Sequence, residues 1–319
     1  MRVAVYAITK NEAHHVERFM APIRDVADLV VITDTGSTDG TYEALMADDD
    51  ITAHQITVSP WRFDDARNAS LALVPADVDV CACLDLDEVL QPDWREALED
   101  AWVAGATRLR YPYVWSWQED GSPGITYYGD KVHARRGYRW RNPCHEVLKC
   151  SGEERQAWTE GFVVHHHPDK GKSRSSYLEL MAQALVEDPT DDRMQHYYAR
   201  ELVYRGQNDD AVRGFLAHLA NPKAQWRHER SESMIYLARL DLPRARAWLY
   251  RAVAECPERK ETWFALAEYE YHQGNYDLAL GAAVTARDLE PDKFYLSNPR
   301  AQANGPAALI EKIREKMGA

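Results

Sequence analysis

From Ala211 to Pro291 the chain repeats itself every 34 residues. Ala211, Ala245 and Ala279 follow one another at that step, as do Phe215, Leu249 and Ala283. Ala252 and Ala286, and Pro257 and Pro291, keep the same spacing. A period of about 34 residues is the length of one antiparallel helix pair with its connections. Small residues at fixed steps let two helices approach closely. The proline marks the exit from the second helix, because it lacks the N–H that the helical ladder needs. One such pair cannot bury its apolar face alone, so successive pairs stack and share a core. The last copy is the fullest, with Trp263, Leu266, Ala267, Gly274, Tyr276, Ala279, Ala286 and Pro291, whereas the first has His218 where the others have alanine. From Ser173 onward the chain reads as all-helical.

The first half has a different period. Val3–Ile8, Leu29–Ile32, Ile56–Val58 and Val78–Leu84 read as short strands. Between them, Ala13–Arg24, Thr41–Met46 and Asp65–Val74 have helical periodicity. Strand–helix alternation of this kind builds a mostly parallel sheet covered on both faces. After a further helix, Trp94–Val103, the pattern becomes β-branched and aromatic through Thr107–Trp117, Ile125–Tyr128 and Lys131–Arg135. The turn signal Glu119-Asp120-Gly121-Ser122-Pro123-Gly124 lies among them. An antiparallel, hairpin-rich extension ending near His167 is expected there. The domain division follows: an α/β domain over residues 1–170 and a helical domain over residues 171–319.

A length of 319 residues accommodates two domains. The net charge of −13 argues against loose, charge-driven attachment to nucleic acid or anionic lipid. The first apolar run is too short for a secretory signal, and no apolar segment is long enough to span a bilayer. Five scattered cysteines lack zinc-site spacing and suggest buried thiols in a reducing cytoplasm.

Candidate site residues cluster where the predicted strands end. In open α/β sheets, ligands bind just outside the carboxyl ends of the strands. The fourth strand stops at Asp85-Leu86-Asp87-Glu88. Two carboxylates at i and i+2 on an extended strand end can converge on one divalent cation and its phosphate ligands. The second strand stops at Asp34, whose carboxylate can accept from a base N–H or a ribose hydroxyl. Thr9-Lys10-Asn11-Glu12 occupies the same level after the first strand. Arg67, near the start of the third helix, offers a fork matched to phosphate oxygens. Read singly, each of these is also an ordinary strand-end or helix-start residue. No G-x-G-x-x-G follows any strand, which excludes a dinucleotide fingerprint.

Four segments in order carry a resemblance. They are Ala7-Ile8-Thr9-Lys10-Asn11-Glu12, Asp34-Thr35-Gly36-Ser37-Thr38-Asp39-Gly40-Thr41, Phe63-Asp64-Asp65-Ala66-Arg67-Asn68 and Leu84-Asp85-Leu86-Asp87-Glu88. Together they resemble family 2 glycosyltransferases, which have the nucleotide-diphosphosugar transferase fold called GT-A. The helical half resembles the tetratricopeptide repeat, a tail that some members of that family carry. The resemblance implies a mixed-sheet GT-A domain followed by an all-α tetratricopeptide-like domain. It implies an inverting, metal-dependent transfer of a sugar from a nucleotide diphosphate, with a UDP-sugar as the family's usual donor. Asp34 would contact the donor base. Thr9, Glu12 and Asp39 would line the nucleoside pocket, Arg67 would lie near the phosphates, and Leu86 would add a donor contact. Asp85 would face the ribose and metal, with Asp87 as the direct ligand of Mn²⁺ or Mg²⁺.

The same resemblance places a general base in Asn142-Pro143-Cys144-His145-Glu146, at Glu146, with Asp120 and Asp130 as competitors on hairpin loops. It draws a further metal ligand from His165-His166-His167. Neighbouring strand residues alternate in direction, so the three cannot converge; His166 is the expected ligand and His145 the runner-up. Lys131, Arg135, Arg136, Arg139 and Arg141 read chiefly as a solvated hairpin face, with an electropositive rim as the functional alternative. Of Trp115, Trp117, Tyr127, Tyr128 and Trp140, at least half are expected in a core. The acceptor is open: a glycan, a lipid-linked sugar, a protein or a modified nucleic-acid base. The helical half is expected to bind that acceptor or to pair two copies of the chain. Alternatives for the chain are a sugar nucleotidyltransferase, which lacks its Gly-rich loop here, and an inactive transferase-like domain on a repeat-based scaffold.

Overall fold

The computed structural model describes residues 1–169, 176–291 and 296–318. The chain divides into two compact units, residues 1–174 and 175–319. The first is an α/β domain built on a mixed sheet and the second is all-α.

In chain order the first unit contains β1 (Val3–Thr9), α1 (Val16–Met20), β2 (Leu29–Asp34), α2 (Thr41–Met46), β3 (Ile51–Gln55), α3 (Phe63–Leu73) and β4 (Val80–Cys83). There follow β5 (Glu88–Leu90), α4 (Trp94–Ala101), β6 (Arg108–Val114), β7 (Thr126–Ala134), β8 (Tyr138–Arg141), β9 (Val147–Cys150), β10 (Gln156–Trp158) and β11 (Val164–His166). The main sheet runs β3-β2-β1-β4-β7-β6-β11-β5, with β10 also paired to β6. Pairings among β3, β2, β1 and β4 are parallel, β7 is antiparallel to both β4 and β6, and β11 is parallel to β6. Strands β8 and β9 form a separate antiparallel ribbon.

All seven residues of β1 are buried. Its side chains alternate between two cores: Val3, Val5 and Ala7 pack with Phe19, Ile32 and Trp94, whereas Ala4 and Tyr6 pack with Leu71, Cys81, Cys83 and Trp140. A strand covered on both faces reads as a continuous apolar run, which is why the sequence reveals it. Each fully buried Val, Leu, Ile or Phe contributes about 1.5–3 kcal/mol relative to exposure.

Several expected boundaries move. The third strand lies at Ile51–Gln55, not at Ile56–Val58. It is an edge strand, so polar His54 and Gln55 are tolerated and no apolar run announces it. The expected helix Ala13–Arg24 is a 3-10 turn, Ala13–His15, followed by the short α1. That helix stops at Met20, two residues before Pro22 removes a ladder donor. The pieces Ile125–Tyr128 and Lys131–Arg135 are one strand, β7. Gly129 sits in its middle because a Cβ there would lie 2.6 Å from the ring of Tyr111 on β6.

The second unit contains α5 (Tyr177–Glu187), α6 (Asp192–Tyr204), α7 (Asn208–Ala220), α8 (Arg227–Leu240), α9 (Ala245–Glu255), α10 (Lys260–His272), α11 (Tyr276–Asp288), α12 (Pro299–Gln302) and α13 (Gly305–Met317). The repeat maps onto the pairs α6/α7, α8/α9 and α10/α11. Ala211, Ala245 and Ala279 are all buried, as are Phe215, Leu249 and Ala283. Gly206 (φ 72°) and Gly274 (φ 76°) turn the first and third pairs in left-handed backbone. The middle pair has Leu240 at the equivalent position and turns through the 3-10 segment Leu242–Arg244 instead. His218, the departure from alanine, is fully buried; its Nδ1 shares the Ser233 hydroxyl, at 2.9 Å, with His196 Nδ1 at 2.8 Å. Among the described residues no helix is long and apolar enough to cross a membrane.

Candidate active site

The parallel register brings the carboxyl ends of β1, β2 and β4 to one rim, with Thr9 opposite Asp34 and Tyr6 opposite Cys83. Asp34 is fully buried. Its Oδ1 accepts from the Gly36 N–H at 2.9 Å, the Ser37 N–H at 3.1 Å and Gln55 Nε2 at 3.1 Å. Gly36, at φ 103°, turns the chain back so that these amides face the carboxylate. Burial pushes the Asp34 carboxyl up, but the bonds from Ser37, Gln55 and Gly36 outweigh it and hold the group below the usual carboxylate range.

The loops after β1 and β2 are laced together. Thr9 Oγ1 donates to Glu12 Oε2 at 2.7 Å, and the Glu12 N–H donates to Thr41 Oγ1 at 2.8 Å. Asp39 accepts from Thr41 Oγ1 at 2.5 Å and from the Ala13 N–H at 3.2 Å. Burial works against the Asp39 charge, and the Thr41 and Ala13 bonds hold its carboxyl below the usual range. Thr9 and Glu12 are therefore buried polar residues that frame the rim, and Asp39 ties one loop to the other.

Arg67 lies on the buried side of α3, under the acidic end of β4. Its Nη2 is 2.7 Å from Asp85 Oδ1 and its Nε is 2.6 Å from Glu146 Oε1. Its Nη1 meets Cys83 Sγ at 3.3 Å, and the guanidinium stacks over Trp140 at 5.3 Å. The other oxygen of Asp85 is held by Lys131 Nζ at 3.0 Å, and the same ammonium reaches Glu88 Oε1 at 2.9 Å. Burial raises the Asp85 carboxyl, but Arg67 and Lys131 hold it far below the usual carboxylate range. Glu88 moves the other way: burial raises it, the Asp85 charge adds to the rise, and Lys131 only partly offsets both. Glu88 is further fixed by Tyr113 Oη at 2.7 Å and by the Asp85 N–H at 3.0 Å.

Asp87 and His166 meet because β11 pairs antiparallel with β5, setting His166 opposite Glu88. His166 Nε2 lies 3.6 Å from Asp87 Oδ2, and both residues are buried. His166 Nδ1 bonds the Trp115 carbonyl at 3.1 Å, which gives Nδ1 the proton and leaves Nε2 as the lone-pair nitrogen of the neutral ring. Burial lowers the His166 imidazolium, but Asp87 and the Trp115 carbonyl more than reverse it, so the group is raised overall. One carboxylate oxygen and one imidazole nitrogen at this separation fit a divalent cation. Both oxygens of Asp85 are held by cations, Oδ1 by Arg67 Nη2 and Oδ2 by Lys131 Nζ. Leu86 is buried between the two acids.

The other expected residues go elsewhere. Asp120 accepts from Ser122 in its own turn, and Asp130 pairs with Arg108 and Arg110 on β6. His145 adopts φ 47° in the loop that presents Glu146. The basic stretch divides: Lys131 turns inward to Asp85, Arg135 bonds the Val74 carbonyl at 2.7 Å, and Arg139 and Arg141 are exposed on β8. The expectation that at least half of the five aromatics form a core needs correcting. Of the five only Trp140 is buried; Trp115 stacks on His166 at 4.5 Å and Trp117 on His167 at 5.4 Å, so these rings pack against the histidine run. Sequence reading named Lys131 only within a basic stretch and Glu88 only as the end of the acidic motif, gave neither a partner, and missed Tyr113 altogether. A cation two residues before a buried β7 histidine carried the signal, but only cross-strand register shows what it faces.

No protein-family model matches the chain, and no curated protein matches it. Solved structures similar to it include S. aureus TarS, at 13% identity over 80% of this chain and 53% of that one, with a TM-score of 0.40. They also include yeast Tom70, at 20% identity over 45% of this chain and 30% of that one, with a TM-score of 0.36. TTC0263, a tetratricopeptide-repeat protein of Thermus thermophilus, matches at 19% identity over 44% of this chain and 73% of that one, with a TM-score of 0.34. The chain thus spans under a third of the length of Tom70 and about half that of TarS.

Proposed function

We propose that the α/β unit is a metal-dependent, inverting glycosyltransferase that moves a sugar from a nucleotide diphosphate, with UDP as the leading candidate, to an acceptor hydroxyl or amine. The observation that supports this reading is that Asp34 lies at the end of β2 while, just past the end of β4, Asp85 is held by Arg67 together with Glu146 and Asp87 faces His166. Asp34, ionised and rigidly held, accepts from the base. Thr9, Glu12, Asp39 and Leu86 shape the nucleoside pocket. Mn²⁺ or Mg²⁺ held by Asp87 and His166 would supply Lewis-acid stabilisation of the diphosphate charge.

The residues of the chain account for the remaining steps. The acceptor oxygen or nitrogen forms a bond to the anomeric carbon on the face opposite the leaving group. The anomeric carbon–oxygen bond breaks, and its electron pair leaves with the diphosphate. The acceptor proton passes to a Glu146 oxygen, a step typically worth about 10²–10⁴-fold. In this structure Arg67 holds that carboxylate. An incoming diphosphate offers Arg67 a second anion, and transfer of the Nε–H bond to phosphate frees Glu146 to accept the proton. Donor binding and base activation are thereby coupled through one guanidinium.

The closure of Arg67 on both Asp85 and Glu146 also suits a second reading, an inactive transferase-like domain carried on a repeat scaffold. One experiment separates the two. The protein is incubated with a panel of nucleotide sugars, with and without Mn²⁺, and diphosphate release and thermal stabilisation are measured. Metal-dependent stabilisation and release with one donor, both lost in Asp87→Ala, support the transferase. No response to any donor favours the scaffold, and activity that survives Asp87→Ala removes the metal assignment.

A further inference from the structure

We propose that His14, His15 and Asp169 form a second cation site, for Zn²⁺ or a similar borderline transition metal, distinct from the Asp87–His166 pair. One ligand atom from each residue lies within 4.8 Å of the other two, and among the described residues this is the group of three such side chains that converges. His14 Nε2 is 3.9 Å from Asp169 Oδ2, and the two imidazole rings are 3.9 Å apart at their centroids.

The site is assembled from opposite ends of the α/β unit. Asn11, at φ 57°, bends the chain out of β1 and into the 3-10 turn Ala13–His15. That turn is fastened by the Ala13 N–H on Asp39 Oδ2 and by the His15 N–H on the Glu12 carbonyl at 2.9 Å. Consecutive residues on so tight a turn place their rings side by side rather than on opposite faces. Asp169 arrives from the other direction, three residues past the end of β11. His15 is buried, Asp169 partly so and His14 exposed, which gives a site with a fixed floor and an open outer side.

The donor set decides the metal class. Two imidazoles and one carboxylate favour Zn²⁺, Co²⁺ or Ni²⁺ over Mg²⁺ or Ca²⁺, which prefer oxygen shells. Tetrahedral coordination at about 2.0–2.1 Å places ligand atoms roughly 3.3 Å apart, so His14 and Asp169 need move inward by only about 1 Å. Three protein ligands leave a fourth position for water or an exogenous anion. Arg18 tunes the site. Its Nη2 lies 2.7 Å from His15 Nδ1, so a metal at His15 must displace either that guanidinium or the proton on Nε2. Arg18 is a built-in competitor, and its removal should tighten binding.

The test is Co²⁺ titration of the full chain, followed by visible d–d absorption, with Zn²⁺ as competitor. The wild type should bind one Co²⁺ at this site with an absorption that Zn²⁺ abolishes. His14→Ala and Asp169→Asn should each weaken it by at least about tenfold. Asp87→Ala should leave it unchanged, and Arg18→Met should strengthen it. Circular dichroism of each variant separates lost ligation from lost fold. Absence of the signal in the wild type overturns the proposal, as does affinity unchanged in both His14→Ala and Asp169→Asn. Weaker binding in Arg18→Met also overturns it. A signal lost in Asp87→Ala but kept in His14→Ala assigns the metal to the rim instead, which overturns this site and leaves the transferase reading standing.

Discussion

The Arg67 guanidinium donates to Glu146 at 2.6 Å from a position almost wholly removed from solvent. Strands β4 to β8 lie between the two residues in the chain, yet the loop carrying Glu146 is fastened directly to the start of α3, where the Phe63 N–H donates to the Pro143 carbonyl at 3.0 Å. The loop is thus tied to α3 at two points, by that backbone bond and by Arg67 on Glu146.

Removing Arg67 should unfold the rim before it affects anything else. Arg67→Met leaves Asp85 and Glu146 without their shared cation in a buried setting, and breaking a buried ion pair in this way costs about 3–5 kcal/mol. Arg67→Lys, which cannot fork between two carboxylates, should recover only part of the loss. Denaturant midpoints of the three proteins measure the order; a loss under about 1 kcal/mol for Arg67→Met would contradict the geometry.

Glu146→Gln keeps the size of the side chain and removes the proton acceptor. Donor-induced thermal stabilisation should persist while sugar transfer falls by about 10²–10⁴-fold. Transfer at the wild-type rate would remove Glu146 as the base.

Gly129→Ala should be costly although alanine is normally mild in a strand. The added methyl meets the ring of buried Tyr111 at 2.6 Å, and overpacking of a filled core typically costs about 1–3 kcal/mol. Combining it with Tyr111→Val should recover stability relative to the sum of the single changes, because the two sites share one contact. Additive losses in the double-mutant cycle would show that the clash is relieved elsewhere.

The helical unit should lose stability as the solution is acidified. His196 is fully buried, and burial pushes its imidazolium down to about 3, with Arg200, His218 and Arg259 lowering it further and Glu229 opposing them. A depressed folded value means that the unfolded chain takes up the proton first. The stabilisation is therefore complete above about pH 6.5 and is lost as the pH falls from there toward 3. The full window is worth on the order of 4–5 kcal/mol. Unfolding midpoints of wild type and His196→Gln across this range should converge at low pH; parallel curves would exclude His196 as the source.

The helix-pair repeat was legible because it rests on local periodicity and on small residues at fixed steps, and Ala211, Ala245 and Ala279 lie where that spacing requires. The strands β1, β2 and β4 were legible because two-sided burial demands unbroken apolar runs. The edge strand β3 was not, since one open side tolerates His54 and Gln55. For the rim, the types of residue at the strand ends were readable from Asp34, Arg67, Asp85 and Asp87. Their partners were not.

By itself the sequence determined the two-part architecture, the order of the main elements and which acids stand at the ends of parallel strands, because these depend on patterns within a few turns of chain. Only the tertiary structure decided that Lys131 closes on Asp85, that Arg67 joins Asp85 to Glu146, that His166 faces Asp87 and that His14 and His15 meet Asp169. Each of these pairs depends on cross-strand register or on the course of a connecting loop. A shift of one residue in β7 or β11 would turn the side chain to the opposite face and leave the sequence unchanged.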